Sequence, residues 1–422
     1  LIGAQASCLP FAGIRAGADI RKNMKRKIFI VVVALVILFQ IPFAYRRYRL
    51  RRLHNTIEQL ATQRILAPVE SDYVDYKGVI HVHSFLGGHS TGSFSELIAA
   101  AKANQLDFVI MTEHPQAEFD TSAMTLNGSH AGVIFINGNE VATANGDRLL
   151  LIPGQSNAAS MNVQSTQQII EQQKAAGGLA FDAYPTESQN WQSTNVNGVE
   201  VYNLFSNART INRFVTFFDG LWSYRAYPDL MFANFFARPT ENLNRWDQTM
   251  VSNNRKLVAI AGNDAHSNVG ISLNDSSGKQ LIGIKLDPYE RSFRTVRTHV
   301  LIKKDKGLTR ESLLEALSLG HCYISFDLFS DASGFRFAAM DSDKIMGDEI
   351  SLNSQPRLIV RTPLPSRVVL IKNGSAVDQK SGTTVEFSPD GAGVYRVEVY
   401  LDALPAPVTG QPWILSNPLY VK

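Results

Sequence analysis

Gly78-Val79-Ile80-His81-Val82-His83-Ser84 is the stretch that decides how this chain reads. A short apolar run of this kind is a strand, and it ends in two imidazoles two residues apart. Side chains at i and i+2 of a strand share a face, so His81 and His83 are expected side by side, placed to grip one cation. The same arrangement recurs at Asp264-Ala265-His266, after the apolar run Leu257-Val258-Ala259-Ile260-Ala261. Between them, Thr112-Glu113-His114 follows Phe108-Val109-Ile110-Met111, and Asn139-Glu140 follows Val133-Ile134-Phe135-Ile136. Four strands that each end in His or carboxylate describe a metal site built at one rim of a β/α structure.

Working outward, strand-like runs alternate with helical stretches from Tyr76 to about Phe329. Ser93-Phe94-Ser95-Glu96 has the pattern of a capping box and predicts a helix over Leu97–Asn104; Leu106–Met111 then returns as a strand. Ser165-Thr166-Gln167-Gln168 opens a second helix that stops at Gly177-Gly178, and a late helix over Thr309–Leu319 ends at Gly320. Alternation of this kind predicts a mainly parallel α/β domain, open or barrel-shaped, over residues 76–334. From about Phe335 the texture changes to short strands separated by Asn373-Gly374, Pro389-Asp390-Gly391 and Pro405. Residues 335–422 therefore read as an all-β accessory domain, sandwich-like or a small sheet.

The 422 residues are 45% hydrophobic and 19% charged, ample for a sizeable core. Ile28–Tyr45 is an uncharged run of 18 residues, about 27 Å long as a helix and close to a bilayer's hydrocarbon thickness. No small-residue cleavage site follows it, and Arg46, Arg47, Arg49, Arg51 and Arg52 come next. We expect a single-pass anchor at 28–45 rather than a cleaved signal. Residues 1–27 precede it as a tail or translated leader, with Met24 a more natural start than Leu1. Basic residues flank both ends, so sidedness stays open. Leu50, Leu53, Ile57 and Leu60 predict a juxtamembrane helix within 46–70, ending near Pro68: a self-pairing stalk, or a lone solvated or membrane-lying helix. The net charge of +3 conceals +10 over residues 1–52 and leaves −7 for the rest. An acidic body argues against reading nucleic acid. With Cys8 and Cys322 alone there is no disulfide framework. No G-x-S-x-G elbow and no phosphate-loop lysine motif occur.

The ordered segments His81-Val82-His83-Ser84, Thr112-Glu113-His114, Gly138-Asn139-Glu140, Gly198-Val199-Glu200-Val201-Tyr202-Asn203 and Gly262-Asn263-Asp264-Ala265-His266-Ser267 resemble the PHP (polymerase and histidinol phosphatase) superfamily. The branch they look most like carries a β-domain after the barrel. The resemblance implies a distorted (β/α)7 TIM-like barrel with a cluster of Zn, Mn or Fe ions. It places His81, His83, Glu140 and Asp264 on one metal, with Glu140 bridging to a neighbour and His114 and His266 at another ion. Glu113 falls where the family has Asp and is expected to support rather than ligate; Asn203 and Ser267 are expected to orient ligands or substrate. The chain departs from the pattern in three places. His89, in Gly87-Gly88-His89-Ser90, stands where an Asp ligand is usual; Asp147-Arg148 stand where a His is usual; Tyr184-Pro185 replaces His-Pro. His89 is taken as a substitute ligand; Asp147, Asp182 and Tyr184 are open as others, with Tyr184 reading as packing rather than catalysis. The expected complement is one or two ions.

The chemistry that follows is hydrolysis by a metal-bound water, with Arg148 stabilising a small anionic substrate. A membrane-anchored phosphoesterase is the expectation. A degenerate domain that binds metal or ligand without turnover, and an ester or carbamate hydrolase, remain as alternatives. Self-association is left open.

Overall fold

The computed structural model describes residues 13–65, 72–209, 212–268, 270–274, 280–340 and 342–422. The start of the expected tail and the end of the expected stalk near Pro68 lie outside the described residues. The local signals act where they were read. Ser93 accepts from the Glu96 amide while Glu96 reaches back to Ser93, opening the helix Phe94–Ala103. Ser165 and Gln168 do the same for Thr166–Ala175. The helix Arg310–Leu319 is capped by Thr309 and stopped by Gly320, whose φ of 76° suits a residue without Cβ.

Ten strands matter for the site: β1 (Tyr73–Val82), β2 (Phe108–Met111), β3 (Val133–Ile136), β4 (Asn139–Ala142), β5 (Arg148–Ile152), β6 (Leu179–Asp182), β7 (Gly198–Asn203), β8 (Val258–Ala265), β9 (Arg297–Lys303) and β10 (Cys322–Ser325). β1 pairs in parallel with β2, and β2 with β3. Just past β2, Glu113 bridges to Asn139 at the start of β4. β5 runs antiparallel to both β4 and β6; β6, β7 and β8 are parallel neighbours, and β8 returns to β1. The first half of β1 also pairs antiparallel with β9, which pairs with β10. The result is an α/β structure on a large mixed sheet. The uniform parallel strands of a TIM-like (β/α)7 barrel are not what the pairing gives, because β5 opposes both neighbours and the sheet runs on through β9 and β10. The strands are nonetheless buried on both faces: β2, β6, β7 and β8 expose no residue.

The C-terminal strands extend this sheet. Ile414–Ser416 pairs with β10 on one side and with Gly393–Tyr400 on the other. The long hairpin Leu358–Lys372 and Ser375–Phe387 turns at Asn373-Gly374, both with positive φ, as a tight hairpin turn requires. Arg396, fully buried, ties this unit to the helix Thr240–Ser252 through two bonds of 2.9 and 2.7 Å to Asp247.

The N-terminal helix, α1 (Gly13–Gln63), is one piece of 51 residues. Its Ile28–Ile41 segment exposes almost every apolar side chain, and it is the one helix among the described residues long and apolar enough to cross a membrane. The expected stalk is corrected here. Leu50, Leu53 and Leu60 are buried in the main core of the body, with Ile57 packed against it. The 3-4 apolar stripe is satisfied by the chain's own body rather than by a second helix or by lipid.

Candidate metal centre

Three strands and three loops bring the predicted donors together: His81, Glu140 and Asp264 lie in β1, β4 and β8, and His83, His114 and His266 in the loops after β1, β2 and β8. Nε2 of His81 lies 3.1 Å from Glu140 Oε2 and 3.5 Å from Asp264 Oδ1; Nε2 of His83 lies 3.3 Å and 3.5 Å from the same two oxygens. All four side chains are 2% exposed or less. The His83 ring stacks on His114 at 4.5 Å and on His266 at 4.3 Å, forming a second, overlapping group of three imidazoles. Simple strand alternation does not produce this. β1 bulges between Ile80 and Val82 against both neighbours, and His81 sits in the bulge at φ 67°. Asp264 has φ 48° and Ser267 φ 50°. Left-handed backbone at non-glycine residues is uncommon and stored where the surroundings fix it. Here it re-aims His81 and Asp264 toward one point.

Two further residues, Glu200 and Tyr184, hold the donors in place. Glu200 Oε1 is 2.7 Å from His81 Nδ1, and its Oε2 accepts from Asn203 Nδ2 at 2.9 Å. Glu200 thus accepts a hydrogen bond from Nδ1–H of His81 and turns Nε2 to the centre. Tyr184, expected to be packing rather than catalytic, donates its hydroxyl to Asp264 Oδ2 at 2.9 Å, and Asn203 contacts the same oxygen at 3.3 Å. The signal for Glu200 was present: a carboxylate within Val199-Glu200-Val201, on a strand with no exposed residue. His266 Nδ1 donates to the Asp264 carbonyl at 2.8 Å, which leaves Nε2 as its free lone pair.

The other predicted residues are placed differently. His89 is exposed at the mouth of the cavity; its ring is 5.1 Å from His114, outside both donor groups. The Gly-rich loop that carries it turns outward, so His89 does not replace a ligand in this arrangement. Glu113 is buried and accepts from the Ser84 amide and Thr125 Oγ1, holding the loop after β1. Asp147 accepts from Thr166 and from the Gln189 and Asn190 amides. It is a loop cap, not a substitute ligand. Asp182 is buried near Asp147 and Glu200, and burial holds its carboxyl well above the ordinary range; it belongs to neither donor group. Ser267 contributes its carbonyl to Thr91 Oγ1 at 2.6 Å. Arg148 lies 3.4 Å from Glu140 Oε1 with its side chain 45% exposed. It borders a cavity of about 670 Å3 whose walls include His114, Glu140, Tyr184, Phe205 and His266. A third cluster, His299 with Asp327 and Asp331, is a buried ion-pair network: His299 bridges Asp75 and Asp327, and Arg297 pairs with Asp327.

The electrostatics of the centre fit a cation. Burial alone would depress His81, yet Glu200, Asp264 and Glu140 outweigh it and hold the ring well above its usual value. His83 is raised to about 8 against burial by Asp264 and Glu140. The two carboxyls of Glu140 and Asp264 are held far down, against burial, by these imidazoles. His114 and His266 fall to about 3 and about 4 through burial and the charge on His83. The carboxylates thus demand positive charge at one point, which a divalent ion among neutral rings supplies equally well. Both His83 nitrogens and Asp264 Oδ1 are buried without a hydrogen-bond partner among the described residues. A tetrahedral ion with ligands at about 2.0–2.1 Å sets its donors about 3.3–3.4 Å apart. The separations given above, 3.1 to 3.5 Å, are those of such an edge. The residues present therefore fit a metal.

No family model matches the sequence, and no curated protein does. Among solved structures the chain is similar to a two-domain protein containing a predicted PHP-like metal-dependent phosphoesterase from Bacteroides vulgatus. The two are 16% identical, with a TM-score of 0.37, over 84% of this chain and 98% of that one. It is also similar to PsfC from Pseudomonas syringae, 13% identical with a TM-score of 0.38, over 60% of this chain and 92% of that one. Identities of this size leave the chemistry to the site itself.

Proposed function

We propose that this chain is a membrane-anchored, metal-dependent hydrolase of the PHP-like kind, acting on small anionic phosphoesters. The observation that carries the reading is the convergence of the His81, His83, Glu140 and Asp264 donor atoms, buried, with orphaned polar atoms among them. These four would hold one ion; His114 and His266, beside His83, would hold a neighbouring one. Zinc, manganese or iron suits imidazole and carboxylate donors, and such an ion supplies Lewis acidity and a water acidic enough to ionise near neutral pH. The protein's own part is orientation. Glu200 fixes the His81 tautomer, Tyr184 and Asn203 hold Asp264, and the Asp264 carbonyl fixes His266. Arg148, half-exposed on the cavity wall, binds the substrate's anionic oxygens, and Glu140 keeps its guanidinium in place. The strand pairing that runs from β1 round to β8 and back supports a distorted (β/α)7 barrel over about residues 76–334, with 335–422 as its β-domain. The apolar segment of α1 supports a single-pass anchor.

One observation favours a second reading, metal binding without turnover. Tyr184, where the resembled motif has a ligating His, donates to Asp264 instead of offering a nitrogen. Metal analysis of the purified chain, followed by hydrolysis of an aryl phosphate and an aryl ester, separates the two, with His83→Ala and Asp264→Ala as controls. The phosphoesterase reading expects bound metal and phosphate release lost in both variants. Bound metal without turnover on either substrate supports the second reading. Turnover of the ester alone overturns the phosphate assignment.

A further inference from the structure

The helix Arg213–Ser223 carries large apolar side chains on a face that the body does not cover. Phe214 is 58% exposed, Phe217 53% and Leu221 67%. Their 3-4 spacing puts all three on one side. The adjoining side packs on α1, and Phe214 reaches its edge, 6.0 Å from the Phe39 ring. Phe218 packs edge-on against Phe39 at 5.1 Å and lies against Phe43 at 5.1 Å, and Trp222 Nε1 donates to Gln40 Oε1 at 2.8 Å. Asp219 takes the Arg46 guanidinium at 2.6 Å, and Arg47 donates to the Trp222 carbonyl. The helix is therefore clamped to α1 over Phe39–Arg47, where the exposed apolar segment gives way to the cluster Arg46, Arg47, Arg49, Arg51 and Arg52. In an anchored chain that is the level of the lipid headgroups, where Tyr and Arg side chains concentrate; Tyr45 and Tyr48 are exposed there as well.

We propose that Arg213–Ser223 is a second membrane contact, an interfacial helix that lays Phe214, Phe217 and Leu221 into the headgroup–acyl boundary of the bilayer that α1 crosses. Three facts select lipid as the occupant: the exposed apolar face continues the exposed apolar segment of α1, the two helices are locked side by side, and the adjoining arginines suit anionic headgroups. An amphipathic helix in this position sits about 5–10 Å into the boundary. The helix is also close in sequence to the site. Asn203 and Phe205, which border the metal centre, lie in the segment leading into this helix, and Phe205 lies against the His266 ring at 5.6 Å.

This inference rests on the anchor reading, and the test keeps the two apart. The full chain, with Cys8 replaced by Ser and the buried Cys322 retained, is reconstituted into phosphatidylcholine–phosphatidylglycerol vesicles. A fluorophore is attached at Phe217→Cys, at Val36→Cys in the apolar segment, or at Val163→Cys, which is 79% exposed elsewhere on the body. Quenchers at graded acyl depths and an aqueous quencher are then compared. We expect the 36 label to be quenched deep in the bilayer, the 217 label most strongly by the shallow lipid quencher with several-fold protection from the aqueous one, and the 163 label by the aqueous quencher alone. A deep 36 label with a 217 label as open to water as 163 overturns the interfacial helix and leaves the anchor standing. A 36 label open to water overturns the anchor, and the interfacial helix, placed on the bilayer that α1 crosses, falls with it.

Discussion

Gly262 lies on β8 directly beneath the Glu200 carboxylate, and replacing it with alanine tests the geometry of the centre without touching a donor. An added Cβ would stand 1.5 Å from Glu200 Oε1 and 2.5 Å from Glu200 Cδ, with His81 Cβ at 3.1 Å. Ordinary contact needs about 3.4 Å or more between such atoms, so the carboxylate must retreat by roughly 2 Å. The His81–Glu200 bond is 2.7 Å, and a retreat of that size breaks it, since bonds beyond about 3.5 Å no longer hold. Losing the partner that orients a ligating imidazole typically costs about 10- to 100-fold in metal affinity, and forced overpacking in a core adds about 1–3 kcal/mol of destabilisation. We expect Gly262→Ala to bind zinc 10- to 100-fold more weakly, measured by competition with a chromophoric chelator. Glu200→Gln, which keeps the shape and removes the charge, should lose affinity in the same direction with a smaller change in unfolding midpoint. Wild-type zinc affinity in both variants would refute the role given to Glu200.

Removing an anion-binding guanidinium should act on ligand affinity rather than on the metal: Arg148→Ala is expected to weaken inhibition by inorganic phosphate roughly tenfold, the scale of a charge-assisted bond at a partly exposed site, with metal content unchanged. Equal phosphate inhibition in both proteins would remove Arg148 from the site. His299 supplies a pH test away from the centre. Burial would lower it, but Asp75 and Asp327 raise it to about 9. Because the folded value lies above the unfolded value of about 6.5, its contribution is complete below about pH 6.5 and is lost as pH rises through about 9, on the order of 3 kcal/mol. Urea unfolding between pH 6 and 10 should show this decline, and His299→Gln should flatten it; an unchanged slope in the variant would contradict it. Asp247→Ala leaves the Arg396 guanidinium, 1% exposed, with Glu398 alone. Breaking a buried pair this way costs about 3–5 kcal/mol, seen as a lower denaturation midpoint; a loss below 1 kcal/mol would show that the link between the β-domain and the body is weak.

Much of the fold was legible because its signals are local. Capping boxes at Ser93 and Ser165, the stop at Gly320 and the turn at Asn373-Gly374 each act within a few residues of themselves. The placing of His81, His83, Glu140 and Asp264 at strand ends is legible in the sequence; the way they converge is not. Alternation places His81 and His83 on one face only in a regular strand, and here a bulge with left-handed backbone does the aiming. What escaped depends on contacts distant in sequence. Glu200 reaches His81 across 119 residues and Tyr184 reaches Asp264 across 80, and no spacing rule encodes either. The stripe Leu50, Leu53, Ile57 and Leu60 is legible as an apolar face, but the sequence does not say which surface covers it. The direction of β5 was likewise hidden, because an apolar run reads the same parallel or antiparallel.

X-ray absorption on the zinc-loaded full chain tests the central claim most directly. The account predicts a nitrogen- and oxygen-only shell at about 2.0–2.1 Å with an imidazole signature, lost in His83→Ala and in Asp264→Ala. Failure of the intact chain to retain zinc, manganese or iron, or a shell that survives both substitutions, would contradict it.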